Sequence, residues 1–191
     1  MQRSLARFLD SVAAATPAPG GGSSAAAAAA LGAALVEMTA AFTVGRDRYS
    51  GGHDRMTAIS ERARARRAEL LELTERELRS YEPVLEAIRL PEDEPDRQAR
   101  IRRASSAAAE PPLDVARAAA EVAELGSEAV RTGNTNLVGD AVVGAVLAEA
   151  ACRGAARLVE INLGGLSGDP RLAEVSELVT RAARAREEAL A

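Results

Sequence analysis

The segment from Pro17 to Val44 constrains this chain more than any other. Pro17-Ala18-Pro19-Gly20-Gly21-Gly22-Ser23 opens into Ser24, an alanine tract from Ala25 to Ala30, and a run to Val44 in which Glu37 is the one charged residue. Alanine is the strongest helix former and proline is excluded from helix interiors, so a helix should begin at about Gly22. Apolar on nearly all faces, it belongs at the centre of a fold. Short side chains exclude water only when neighbouring backbones come close, so its partners should be small-residue helices as well. With 2% aromatic residues, the chain has little of the material of sheets.

An all-α, single-domain helical bundle over residues 1–191 follows, with long Ala-rich helices through which the chain is expected to dimerise. Leu5, Phe8, Leu9 and Val12 recur at helical spacing, giving a short first helix that ends before Pro17. From Asp54 to about Leu90 the pattern predicts one long amphipathic helix, with Met56, Ile59, Leu70, Leu78 and Val84 among its apolar positions. Pro91 to Pro95 is an acidic linker, and a helix follows to about Ala109. Pro111-Pro112 starts another, running to about Arg131. Gly133-Asn134-Thr135-Asn136 is a turn with capping residues, and Leu137 to Leu163 is a second largely apolar helix that ends at Gly164-Gly165. Pro170 opens a terminal helix, Arg171 to about Leu190.

The formal net charge of −4 gives no basic footprint, and Arg alternates with Glu, so a nucleic-acid partner is not expected. One cysteine, Cys152, excludes an intramolecular disulfide and suits a reducing, cytoplasmic setting. Met1-Gln2-Arg3-Ser4-Leu5 shows no export signal, and Glu37, Thr39 and Thr43 favour a buried soluble helix over a membrane span. The one histidine, His53, and Cys152 lie on unrelated segments, so neither a metal site nor a Cys/His or Ser/His/Asp arrangement is expected.

Three constellations could carry chemistry. Gly20-Gly21-Gly22-Ser23 opens directly into a helix, so free N–H groups and the positive end of the helix dipole can face an anion. The alternative is a chain reversal with Ser23 as a helix cap. Asn136 and Asp140, four residues apart, should share a helix face, with Gly144 one turn on leaving space beside the carboxylate. Asp140 is then a candidate base, against the alternative of ordinary capping by Asn134 or Asn136. Glu77, before Tyr81, sits among Glu72, Glu75 and Arg76, where a solvated helix face is the simpler reading. Asn162 reads as a polar helix terminus or a ligand contact. Whether the run Arg62 to Arg67 takes an anionic substrate tail stays open.

Phe8-Leu9-Asp10, the Pro17 to Ser23 turn and Met38 resemble the start of the cyclodeaminase/cyclohydrolase family. The likeness continues through Gly45-Arg46-Asp47-Arg48-Tyr49, Tyr81 with Leu90-Pro91, Pro112-Leu113, Gly133 to Asn136 with Asp140, and Ile161-Asn162-Leu163. The resemblance implies an all-α subunit that dimerises and binds a tetrahydrofolate derivative as substrate, without a metal. It implies an enzyme that either expels ammonia from 5-formiminotetrahydrofolate or hydrolyses 5,10-methenyltetrahydrofolate. By the match, Asp140 relays protons, Asn136 orients it or the pterin, and Pro19, Gly20, Gly21, Gly22 and Ser23 line the folate cleft. Arg48, Asn162 and Glu77 complete the candidate set. Two departures stand out: Gly45-Arg46-Asp47-Arg48-Tyr49 replaces a Lys-rich segment, and Glu77 stands where the family tends to have Asp. A non-catalytic folate-binding or scaffolding dimer is the alternative these departures would permit.

Overall fold

The alanine-rich run forms α2, Gly21–Thr43, and the rest of the chain is wrapped around it. In the computed structural model, which describes residues 5–164, 166 and 168–191, the other helices are α1 (Leu5–Ala13), α3 (His53–Ser80), α4 (Glu82–Ile88), α5 (Arg97–Ala108), α6 (Glu110–Thr132), α7 (Val138–Asn162) and α8 (Pro170–Leu190). Short 3-10 turns occupy Asp47–Gly52 and Thr135–Leu137. No strand occurs among the described residues, as the composition requires. The N-terminal Met1 to Ser4 and the second glycine of Gly164-Gly165 lie outside the described residues.

Four helices, α2, α3, α6 and α7, make the bundle, and α8 covers the seam between α6 and α7. Its core is alanine and valine with a few larger side chains: Val36, Met56, Ile59, Leu70, Leu113 and Val159 are all 1% exposed or less. By length and composition α2 is the one described helix able to cross a membrane, yet half of its most apolar window is inside the fold. Packing on three other helices accounts for its composition.

Small residues set the closest crossing. A Cβ added at Gly32 would stand 2.7 Å from the Gly144 carbonyl oxygen, and one at Gly144 would stand 3.0 Å from the Gly32 oxygen and from Val36 Cγ2. The two backbones touch there. Gly21 lies against Leu158 and Gly32 against Gly144, so α2 and α7 run antiparallel. The expectation of open space beside Asp140 is therefore corrected: the room that Gly144 leaves is filled by α2.

The expected helix from Asp54 to Leu90 breaks at Tyr81. Pro83 has no N–H for the Arg79 carbonyl and its ring collides with it, so α3 ends at Ser80 and α4 restarts with proline in its first turn. The short α4 then packs against α5 as a hairpin at one end of the bundle.

Candidate active site

Glu77 is the most perturbed carboxyl group among the described residues. It sits on α3 where the start of α2 crosses it, and a Cβ added to Gly22 would fall inside the Glu77 carboxyl group. Ser23 Oγ donates to the Thr74 carbonyl at 3.2 Å, which fastens the two helices one turn away. Oε1 of Glu77 is buried and finds no hydrogen-bond partner. Burial pushes its pKa up to about 7, against the opposing pull of Arg76 and Ser80. Arg76 also pairs with Asp114 on α6, 3.1 Å away. The solvated-face reading of Glu77 is thereby overturned: the missing side chain of Gly22 lets α2 descend onto the carboxyl and exclude much of its water.

The turn before α2 differs from the expected cap. Gly20 is the N-cap and has no side chain to offer, while Ser23 lies inside the first turn and bonds α3 instead. Pro19 is buried, and its peptide with Ala18 is cis. Leu158 of α7 approaches Gly21, and Asn162 Nδ2 donates to the Ala108 carbonyl at 2.9 Å, tying α7 to the end of α5. Pro19, Gly20, Gly21, Gly22, Ser23, Glu77 and Asn162 thus gather at one end of the bundle.

The other candidates gather at the opposite end. Asn134, buried, accepts through Oδ1 from the Asn136 N–H at 3.0 Å and from the Tyr49 hydroxyl at 3.2 Å. The Thr135 N–H donates to that hydroxyl at 3.3 Å. Arg48 is exposed, its guanidinium 5.7 Å from the Tyr49 ring centre. Hydrogen bonds from Thr135, with the nearby charges of Arg48 and Arg46, hold the Tyr49 hydroxyl below the usual phenol value. Tyr49 was not singled out as a site residue from sequence, although it is one of only two tyrosines in the chain. Asn136 lies in the 3-10 turn before α7, so it does not share a regular helix face with Asp140. Asn134 is the capping residue there; Asn136 is exposed, and Asp140, half-buried, makes no hydrogen bond or ion pair.

Asp140 and Leu158 stand about 27 Å apart along α7 at the helical rise of about 1.5 Å per residue. One chain by itself therefore splits the sequence-derived set into a Glu77 cluster and an Asp140 cluster. Between them, α2 presents Leu31, Leu35, Met38 and Phe42 outward and α7 presents Val143, Leu147 and Ile161. Leu31, Phe42, Val143 and Ile161 are each at least half exposed. The run Arg62 to Arg67 is committed elsewhere: Arg62 and Arg66 pair with Glu121, and Arg64 and Arg67 with Glu37. Among the described residues no group of three His, Cys, Asp or Glu could hold a metal ion. Cys152 is buried, and burial pushes its thiol up to about 12, which makes it an unreactive packing residue.

An all-α bundle with a carboxyl of pKa about 7 against a glycine-lined helix start has the equipment of an acid–base enzyme. The chain belongs to the formiminotransferase-cyclodeaminase family, whose model matches residues 4–181. It is 32% identical over 183 residues to the methenyltetrahydrofolate cyclohydrolase of Methylorubrum extorquens, covering 92% of this chain and 88% of that one. The formimidoyltransferase-cyclodeaminase of Mus musculus is 33% identical over 173 residues, which are 88% of this chain but 32% of the mouse protein. The crystal structure of formiminotetrahydrofolate cyclodeaminase from Thermotoga maritima superposes with a TM-score of 0.87 at 27% identity, over 98% of this chain and 94% of that one.

Proposed function

We propose that this protein is a folate-dependent one-carbon enzyme acting on a C–N bond, either a formiminotetrahydrofolate cyclodeaminase or a methenyltetrahydrofolate cyclohydrolase, working as a cytoplasmic homodimer. The observation that carries the reading is Glu77, a carboxyl half ionised near neutral pH against the open end of α2. The named relatives catalyse these two reactions, which favours catalysis over an inert folate-binding scaffold.

Both reactions pass through one electron-poor carbon between two nitrogens. In cyclodeamination N10 attacks the formimino carbon, losing its proton, and the amino group leaves with an added proton as ammonia. In hydrolysis a water gives up a proton as it adds to the methenyl carbon, and N5 gains one as its bond to that carbon breaks. Either way one group must accept a proton and return it, and a carboxyl of pKa about 7 does both with little bias. Gly20, Gly21, Gly22, Ser23 and Pro19 shape the cleft, with the unengaged N–H groups of the first turn available to a substrate oxygen or nitrogen.

The dimer joins the two clusters. A second copy docked through the α2/α7 face about a two-fold axis perpendicular to these helices would run antiparallel to the first. In that arrangement Asp140, Asn136 and Arg48 of one protomer would come beside Glu77 of the partner subunit. Burial of Leu31, Phe42, Val143 and Ile161 drives the association. Asp140 then serves as the second proton relay, with Asn136 left to face the pterin and Arg48 and Asn162 at the cleft margins.

Mixing the protein with 5,10-methenyltetrahydrofolate and following loss of its near-ultraviolet absorbance tests hydrolysis. Mixing it with 5-formiminotetrahydrofolate and following the appearance of the same band tests deamination. No change with either, together with no thermal shift by folate, would remove the enzyme reading.

A further inference from the structure

The arginines on α5 differ from most of those on the bundle flanks. Those along the flanks of the bundle are bound in ion pairs, as for Arg55 with Glu128, Arg117 with Glu174 and Arg181 with Glu124. On α5, by contrast, the guanidinium groups of Arg100, Arg102 and Arg103 have no ion-pair or hydrogen-bond partner among the described residues, and three such groups stand together on one short helix. Unpaired guanidinium groups side by side are open to an anionic acceptor from outside the chain.

Two of the three line a groove. Between α4 and α5 lies an open trough of about 460 Å³ with Pro83, Ala87, Leu90, Ala104 and Ala107 as its apolar surface and Arg100 and Arg103 on the α5 side. Glu86 is the one acid on its wall, and it pairs with neither arginine. Arg97 does not compete for a ligand, since it donates to the Leu90 and Ile88 carbonyls and so fixes the α4–α5 hairpin. The trough adjoins the Glu77 cluster: α4 begins just past Tyr81, and Ala107 precedes the Ala108 carbonyl held by Asn162.

We propose that the α4–α5 groove binds the aminobenzoyl-glutamate arm of the substrate, with Arg100 and Arg103 on its carboxylates and the alanine, leucine and proline surface against its ring. The occupant rests on the folate reading above. The match is one of chemistry: an aryl amide ending in two carboxylates meets an apolar floor bordered by two unpaired guanidiniums, next to the end of the bundle where proton transfer is placed.

The test uses p-aminobenzoyl-L-glutamate, which lacks the pterin and cannot react, titrated into the full-length protein by calorimetry. Wild type and Arg102→Ala, which removes a charge from the same helix outside the groove, should bind it alike. The double variant Arg100→Ala/Arg103→Ala should bind it about tenfold more weakly or worse. Absence of wild-type binding at millimolar probe, or equal weakening in the Arg102→Ala control, would overturn the proposal. With the folate that turns over, the double variant should raise KM and keep kcat; a lowered kcat at unchanged KM would equally overturn it. Failure of both folates to react would remove the enzyme reading alone, because the probe titration does not depend on turnover.

Discussion

Replacing Glu77 by glutamine should make the protein less active and, above neutral pH, more stable. The ordinary glutamate value is 4.5 and burial raises that of Glu77 to about 7. Below 4.5 the carboxyl is protonated in folded and unfolded chains alike and titration contributes nothing. As pH rises through this window the unfolded chain ionises first, so folding has to retain a proton that water would take, and the penalty is complete above about 7. At about 1.4 kcal/mol per pH unit the full penalty is about 3 kcal/mol. The half-buried side chain keeps some contact with water, which reduces it to about 2 kcal/mol. Glutamine fills the same space and does not titrate. Urea unfolding of both proteins at one protein concentration, from pH 4.5 to 8.5, should show the variant gaining about 2 kcal/mol on the wild type across the series. Turnover at neutral pH should fall about a hundredfold or more. Parallel stability curves would refute the burial argument, and unchanged turnover would take Glu77 out of the chemistry.

Other consequences can be measured separately. Gly144→Val forces a branched side chain against the Gly32 carbonyl and Val36, and should cost about 1–3 kcal/mol in urea unfolding. Leu31→Asp/Phe42→Asp places charges on the exposed α2 face, and light scattering should report a monomer of unchanged helix content; a persisting dimer would exclude that face. Tyr49→Phe removes the hydroxyl shared by Asn134 and Thr135, at about 1 kcal/mol, and hydrogen exchange of the Thr135 amide should quicken. Cys152 should react with thiol reagents no faster than the protein unfolds.

The helical fold was legible because prolines and glycines punctuate it: the breaks before Gly21, after Thr132 and before Pro170 stand where residue chemistry places them. The break at Tyr81 was equally available in Pro83, but the apolar spacing of Leu78, Val84 and Leu85 runs through it and masks the lost hydrogen bond. Which residues touch was less legible. Glu77 looks solvated in its own helix, and only the approach of Gly22, distant in sequence, dries it. Tyr49 gains its partners across a separation of 85 residues or more, which no local pattern encodes. Asp140 and Asn136 drew attention through their turn, and their place at the far end of α7 from Glu77 is a property of the antiparallel α2–α7 pair.

The apolar character of α2 bears on how the chain reaches its native state. During synthesis α2 emerges before its main neighbours, and α3 can cover one side of it at once. Its other main neighbour, α7, begins nearly a hundred residues after α2 ends. Until then a long alanine-rich surface waits uncovered, with Gly32 and Val36 along it, and that interval is when the nascent chain is most exposed to aggregation or to capture by a chaperone. The contact between Gly32 and Gly144 closes the interval, so substitutions there should lower the yield of folded protein in cells more than they lower the stability of what has folded.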